Sequence, residues 1–338
     1  MIIFAIETSC DETSVCLLDS EGQILSHIVN SQTEHQKYGG VIPEIASRAH
    51  LEILQKITKE AVIKANIKIQ DVDIYCATCG PGLIGGLLVG STFAKALAIG
   101  NNKPFVPINH LEGHILSPTF NNDMVYPYVC FLLTGGHTQI YLTHNINKYE
   151  LLGETVDDAI GEAFDKVAKL LGLPYPGGAI LEKKALNGNI DSYDLPHPLK
   201  KHKNLNFSFS GIKTAVNLIV KKQKKLDDIF ISNMAASFQN KISEILISKL
   251  ELTINYLRER KINISNLSLV GGVAANKYLY ENLKKKASTY QCNILMPKNF
   301  MLSDNAAMIA WACSKKYSDN LTSDIMFKAD PRLKVSSI

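Results

Sequence analysis

Apolar and polar positions along this chain fall into blocks of two periods. Residues 2–8, "IIFAIET", are almost unbroken apolar, which predicts a strand buried on both faces. The polar "SCDET" (9–13) then reads as a turn and "SVCLLD" (14–19) as a second strand, giving a hairpin with an acidic tip. The same unit returns as "YVCFLL" (128–133), "TGGHT" (134–138) and "QIYLTH" (139–144), a weak internal repeat with one copy opening each half. Between the copies, residues 40–65 carry helical spacing and 73–78 read as a strand; 80–100 pass from a glycine turn into a helix. After the second copy the pattern predicts helices over 154–171 and 178–187, then a basic, proline-punctuated loop (191–206) and a long helix from 230 to 260. A strand, a Gly-Gly turn and a helix follow over 267–286, with a short strand at 294–297. "SDNAAMIAWACSKKY" closes as a helix capped by Ser303 or Asp304. This order predicts an α/β protein of two similar lobes, 1–127 and 128–300. Residues 301–338 form a closing helix and tail that return toward the first lobe, and a ligand site lies in the cleft between the lobes.

Composition narrows the class. At 338 residues and 46% hydrophobic content the chain can bury a sizeable core. "MIIFAIETSC" has no basic leader segment, and the apolar tract at 82–100 is glycine-rich and broken by Lys95, so a cytoplasmic protein without membrane contact is expected. Seven cysteines, an odd number, are scattered as buried thiols of a reducing compartment would be. The C-x-x-C of Cys76 and Cys79 reads as incidental rather than as a zinc or redox pair. A net charge of +4 creates no global field, but basic runs at 199–203, 221–225 and 284–286 together suggest a polyanion-binding surface in the second half.

Candidate chemistry lies in short stretches. In "NHLEGHI" (109–115) His110 and His114 are four apart, about 40° apart on a helix, and so share a face that can grip one ion. The zinc-protease pattern H-E-x-x-H places its glutamate beside the first histidine, whereas Glu112 falls about 200° round and faces away. From spacing alone the pair serves equally well as polar helix-end residues. Four small-residue turns are candidates for phosphate contact: "LLTGGHT" (132–138), "YPGGAILE" (175–182), "LVGGVAAN" (269–276) and "CGPGLIGG" (79–86). They make nucleotide binding the leading hypothesis although neither a P-loop nor a G-x-G-x-x-G is present. Among the acids, Asp11 and Glu12 occupy the first hairpin's tip, Asp165 projects from an amphipathic helix, and Asp304 reads locally as an N-cap.

Taken together, "IETSCDETSV", "GGVIPEIASRAH", "NHLEGHI", "LLTGGHTQI", "GEAFDKVAKLLGLPYPGG", "FSFSGIKTA", "LVGGVAANKYL" and "SDNAAMIA" resemble, in order, the motifs of the bacterial TsaD family. That family comprises tRNA adenosine threonylcarbamoyltransferases once described as O-sialoglycoprotein endopeptidases. The resemblance implies an ASKHA (actin-like ATPase) fold of two ribonuclease-H-like lobes around a central cleft. It implies transfer of a threonylcarbamoyl group from threonylcarbamoyl-AMP to N6 of adenosine 37 in tRNAs reading codons that begin with A. It also assigns residues. His110, His114 and Asp304 become ligands of one divalent metal, iron(II) favoured and zinc the alternative. Leu132, Leu133, Thr134, Gly135 and Gly136 become the phosphate cradle, Asp165 and Gly178 ribose contacts, and Asn276 a nucleotide contact. Asp11 and Glu12 become phosphate-side or metal-side catalytic acids, and ATP or ADP can occupy the same cleft. Expected partners are tRNA, a paralogous ASKHA-fold protein of the TsaB type and a small P-loop ATPase of the TsaE type. Lysines at 200–203 and 221–225 are the candidates for tRNA backbone contact. Thr134 stands where serine is usual, Cys79 where alanine is, and Tyr280 where arginine is common; none touches the metal set. A metalloprotease, an ASKHA kinase of sugars or acyl groups, and a non-catalytic scaffold are the rival readings.

Overall fold

The computed structural model of the chain describes residues 1–120, 122, 124–318 and 324–335. Its first sheet is built from β1 (Ile2–Glu7), β2 (Glu12–Asp19), β3 (Ile24–Ser31), β4 (Ile74–Gly80) and β5 (Phe105–Asn109). Helices α1 (Pro43–Lys64) and α2 (Ile84–Gly100) connect these strands, and α3 (His110–Leu116) follows β5 directly. The strand order is β3-β2-β1-β4-β5, antiparallel through β1–β2–β3 and parallel through β1–β4–β5. Both faces of this sheet are covered, which is why β1 and β4 read as continuous apolar runs instead of alternating. On one face Phe4, Ile6 and Tyr75 pack with Leu54, Ile57 and Ala61 of α1 and Ala94 and Ala98 of α2. On the other, Ile3, Ala5 and Ile74 pack with the helix of residues Ala306–Ser318.

The second sheet uses β6 (Tyr128–Leu133), β7 (Thr138–Asn145) and β8 (Lys148–Glu154), then β9 (Asn266–Val270) and β10 (Asn293–Leu295). Between β8 and β9 run α4 (Ile160–Leu170), α5 (Gly178–Ala185), α6 (Ser210–Lys221) and α7 (Asp228–Glu259); α8 (Lys277–Ser288) joins β9 to β10, and α9 is the helix Ala306–Ser318. The order β10-β9-β6-β7-β8, read from its far edge, repeats that of the first sheet. The two hairpins seen as a weak sequence repeat are therefore the visible part of a duplicated five-stranded topology. One compact unit comprises the described residues of Met1–Asp123, Ile146–Tyr149 and Pro297–Ile338; the other comprises Met124–Asn145 and Glu150–Met296.

Two expectations need correction. The helix expected over 154–171 begins only at Ile160, because β8 occupies Lys148–Glu154 at the sheet edge with most of its side chains partly or fully exposed. Edge strands β3 and β8 lack a two-sided apolar run, so periodicity does not announce them. Neither Ser303 nor Asp304 caps α9: the Asn305 Oδ1 accepts from the Met308 amide at 3.0 Å, so the cap falls to Asn305. The C-x-x-C pair is also explained. Cys76 packs with the α9 face of the first sheet and Cys79 with the α1–α2 face, so their thiols point apart and cannot share a metal or a disulfide. Burial raises both thiols, Cys79 to about 12, which keeps them protonated hydrophobes. Among the described residues no helix is long and apolar enough to cross a membrane.

Candidate functional site

The site begins with a short helix that cannot stand alone. With seven residues, α3 is below the length at which an isolated helix is stable, so capping and packing must hold it. Asn109 supplies the cap, its Oδ1 accepting from the amides of Leu111 at 2.9 Å and Glu112 at 3.3 Å. Gly113 lets α3 lie close against α9: a Cβ there would come within 3.0 Å of Ile309 Cδ1 and 3.2 Å of Met308 Cγ. The run of small residues after Asp304, with Ala306, Ala307 and Ala310 fully buried, serves the same close approach. As a result Asp304, in the loop before α9, reaches the histidine face of α3. Its Oδ1 lies 3.0 Å from His114 Nε2 and 3.5 Å from His110 Nε2, and the two imidazoles stand edge to face with centroids 4.9 Å apart. One ligand atom from each of the three residues lies within 4.8 Å of the others, the one such group of His, Cys, Asp or Glu among the described residues. Two imidazole nitrogens and one carboxylate oxygen converging at this spacing fit a divalent transition metal.

A carboxylate behind the first histidine strengthens that fit. Glu7, fully buried at the end of β1, places Oε2 3.1 Å from His110 Nδ1, the far ring nitrogen, as a carboxylate–histidine–metal arrangement requires. Glu7 is itself fixed by the Ser9 amide at 2.6 Å and by the Thr78 hydroxyl. Burial opposes its charge, but His110 outweighs burial and holds the carboxyl below its usual range. Burial likewise opposes charge on His110, yet Asp304 and Glu7 overcome it and raise the imidazole to about 9. In the absence of a metal this ring therefore carries a proton at neutral pH. That proton stabilises the metal-free fold fully below pH 6.5, and the contribution is lost as pH rises through about 9. A bound cation must displace it. Metal affinity is therefore expected to climb about tenfold per pH unit between pH 6.5 and 9 and then level off, as read by competition with a chelator. An affinity flat over that range would show that no proton is exchanged.

The neighbouring acids have distinct duties. Glu112 is fully buried on the opposite side of α3, where it receives hydrogen bonds from Lys316 Nζ at 2.8 Å and the Tyr149 hydroxyl at 2.9 Å. It is thus unavailable to activate water beside the histidines. Glu12, the first residue of β2, is pushed well above the usual carboxylate range by burial and then by the charges of Asp304 and Asp11. Asp11 and Glu12 accordingly share the electrostatic surroundings of Asp304. In the turn at 79–86, one of the four candidates for phosphate contact, two amides are already engaged: Leu83 N donates to Ser9 O at 2.8 Å and Gly82 N to Pro331 O at 3.3 Å.

The remaining expected ligand residues lie in the second unit. Leu132 and Leu133 end β6 with side chains fully buried, so only their backbone is available. Thr134 turns the chain, its hydroxyl accepting from the His137 amide at 2.9 Å, while Gly135 and Gly136 are exposed. The start of α4 sits against this turn, with the Gly161 amide donating to Thr134 O at 3.2 Å. One turn further along α4, Asp165 Oδ1 accepts from the Gly177 amide at 2.7 Å and so fixes the glycine pair that opens α5 at Gly178. Asn276 caps α8 through Leu279 N at 3.0 Å and donates to Gln239 at 2.8 Å, so both ends of its side chain are engaged. A Cβ on Gly161 would stand 2.8 Å from Gly135 Cα and 2.8 Å from Thr134 O. Gly161→Ala is therefore expected to cost about 1–3 kcal/mol, read from equilibrium unfolding in urea. An unchanged midpoint would show that the Thr134 turn moves freely.

Comparison with known proteins decides the family. The profile described as "TsaD: tRNA N6-adenosine threonylcarbamoyltransferase" matches residues 23–311. The chain belongs to the TsaD family. A tRNA N6-adenosine threonylcarbamoyltransferase of Wolbachia pipientis wMel is 44% identical over 335 residues, covering 99% of this chain and 99% of that protein. One from Rickettsia rickettsii (strain Sheila Smith) is 44% identical over 339 residues, covering 99% and 98%. Among solved structures, HypF of T. kodakarensis superposes with a TM-score of 0.62 at 13% identity, over 96% of this chain and 49% of its own. The Clostridium difficile activator of 2-hydroxyisocaproyl-CoA dehydratase gives 0.51 at 12%, over 96% and 99%. At such identities these neighbours speak to fold alone, and the fold is ASKHA. Within this TsaD chain, sequence reading missed Glu7, Asn305 and Lys316. The i, i+4 spacing revealed the histidine pair, but a carboxylate ending an apolar strand carries no local sign that it faces a ring 103 residues away.

Proposed function

We propose that this chain transfers the threonylcarbamoyl group of threonylcarbamoyl-AMP to N6 of adenosine 37 in tRNAs reading codons that begin with A. The observation that carries this reading is 44% identity from end to end with relatives named for that activity. The His110, His114 and Asp304 group supports it. In the reaction the exocyclic amine adds to the carbamoyl carbonyl, loses a proton, and AMP departs with the electron pair of the broken C–O bond. A divalent ion held by His110, His114 and Asp304, iron(II) in preference to zinc, supplies Lewis-acid stabilisation of negative charge when bound. Glu7 orients His110 and keeps Nε2 directed outward. Asp11 and Glu12 act as acids on the metal side. The exposed backbone of Gly135 and Gly136, behind Leu132, Leu133 and Thr134, offers amides to the adenylate phosphate. Asp165 and Gly178 take the ribose, and Asn276 contacts the nucleotide by exchanging its Gln239 bond. ATP or ADP competes for the same turns. A TsaB-type paralogue and a TsaE-type P-loop ATPase complete the cytoplasmic system.

The metalloprotease reading loses its base, since Glu112 is bound by Lys316 and Tyr149. The deciding experiment incubates the purified chain and its two partner proteins with threonylcarbamoyl-AMP and unmodified tRNA. Nucleoside analysis is expected to find threonylcarbamoyl-adenosine, and its absence would remove the transferase reading.

A further inference from the structure

The loop between α5 and α6 contains a feature that neither the metal centre nor the glycine turns require. Residues 194–197 and 199–202, with Lys241 of α7, line a cavity of about 750 Å³ open to solvent. Its charged and titratable lining is Lys200, Lys201, His197, His202 and Lys241 against Asp194, with Lys241 alone among these lysines paired, to Glu244 at 2.7 Å. Lys200 and Lys201 are in no ion pair among the described residues, whereas two of the three lysines at 284–286 are engaged, Lys286 with Glu251 and over Tyr290, and Lys284 over Tyr280. The basic runs are therefore not equivalent: the third is an ordinary paired helix face, and the first is an unneutralised concave one.

Two independent observations indicate that this surface is made for a ligand. The Nε2 of His197 is buried and has no hydrogen-bond partner, an arrangement that costs about 1–3 kcal/mol unless something binds there. Leu199 holds φ at +55°, a left-handed conformation that a branched side chain rarely adopts and that persists where surrounding structure enforces it. The Leu199 carbonyl accepts from the His202 amide at 3.0 Å, closing the turn that presents both lysines. Concentrated positive charge with an unsatisfied imidazole calls for an anion. The lining offers no Phe, Tyr or Trp on which a base would stack and no Asn, Gln or Arg to read a base edge. What remains is recognition of phosphate and sugar without regard to sequence.

We infer that this pocket is a docking site for the phosphodiester backbone of RNA, which on the transferase reading above is the tRNA substrate away from its reacting adenosine. Such a contact suits an enzyme whose substrates share shape and backbone but differ in sequence. The test compares the parent with Lys200→Glu/Lys201→Glu and with the milder Lys200→Ala/Lys201→Ala, after circular dichroism confirms the fold. Affinity for unmodified tRNA and for poly-U is measured across a potassium chloride series, alongside binding of inorganic phosphate. Charge reversal is expected to weaken both RNAs at least about tenfold at low salt and to flatten the salt dependence by about one to two released ions. The alanine pair should lie between. RNA affinity and salt slope identical to the parent would overturn the inference, as would loss of inorganic phosphate binding with RNA binding intact, which would mark a small-anion site. Because poly-U binding needs no transfer chemistry, the pocket can be upheld even where no modified adenosine forms, so the two readings fail separately.

Discussion

Replacing His110 and His114 together by alanine is expected to abolish metal retention and to lower threonylcarbamoyl-adenosine formation by about three orders of magnitude or more, the rate equivalent of several kcal/mol of lost Lewis-acid stabilisation. Loss of His110 also leaves Glu7 buried without its cation, so part of the effect of the double variant will be a less stable fold. Asp304→Asn separates the two contributions. Its carboxylate is partly exposed and the α9 cap belongs to Asn305, so the exchange keeps Glu7 paired with His110 and α9 capped while removing the charged ligand, at the cost of the Asp304 share of His110 stabilisation. Metal content by elemental analysis and product by nucleoside analysis should then fall together. Full product from an Asp304→Asn protein that holds no metal would refute the assignment of this cluster to the reaction.

The second large effect is expected from a residue that approaches neither metal nor substrate. Lys316→Met removes the cation facing Glu112, where both partners are almost wholly buried, 1% and 0% exposed. Breaking a buried pair from one side costs about 3–5 kcal/mol because the remaining charge is stranded. Burial already raises the Glu112 carboxyl, with Lys316 and then Tyr149 pulling it back, so in the variant burial goes unopposed and the carboxyl rises further. The sign follows: the penalty should be greatest at neutral and alkaline pH and shrink as pH falls and Glu112 takes up a proton. A denaturation series from pH 5 to 8 checks this, and the double variant Glu112→Gln/Lys316→Met should recover most of the loss. Since Glu112 sits between His110 and His114 on α3, metal affinity should drop with Lys316→Met and return in the double variant. A Lys316→Met protein as stable as the parent at every pH would show that Glu112 finds another donor.

What could be read from the sequence follows burial. The strands β1, β4, β6 and β9 are covered on both sides and appear as apolar runs. Edge strands β3 and β8 mix exposed and half-buried positions and have no such signature. Within the site, the histidine spacing was legible because helix geometry is local. The role of Asp304 was not, since the cap reading was the better local one and only the family resemblance pointed elsewhere. Asn305 resolves the conflict: a second cap-competent residue beside the acid takes the amide. Lys316 gave no sign at all, because a lysine near the end of an amphipathic helix is ordinarily solvated.

The separation of the ligands along the chain has a consequence for biosynthesis. Asp304 is 190 residues from His114. At about 5–20 residues per second it leaves the ribosome about 10–40 s after the histidine pair. Through that interval the nascent polypeptide presents two imidazoles without their carboxylate, a weak and unselective binder of whatever cation is abundant. The three-residue group is consequently complete only once α9 has closed against the first sheet, so any metal held there reflects the cation supply seen by the finished protein rather than by the growing one.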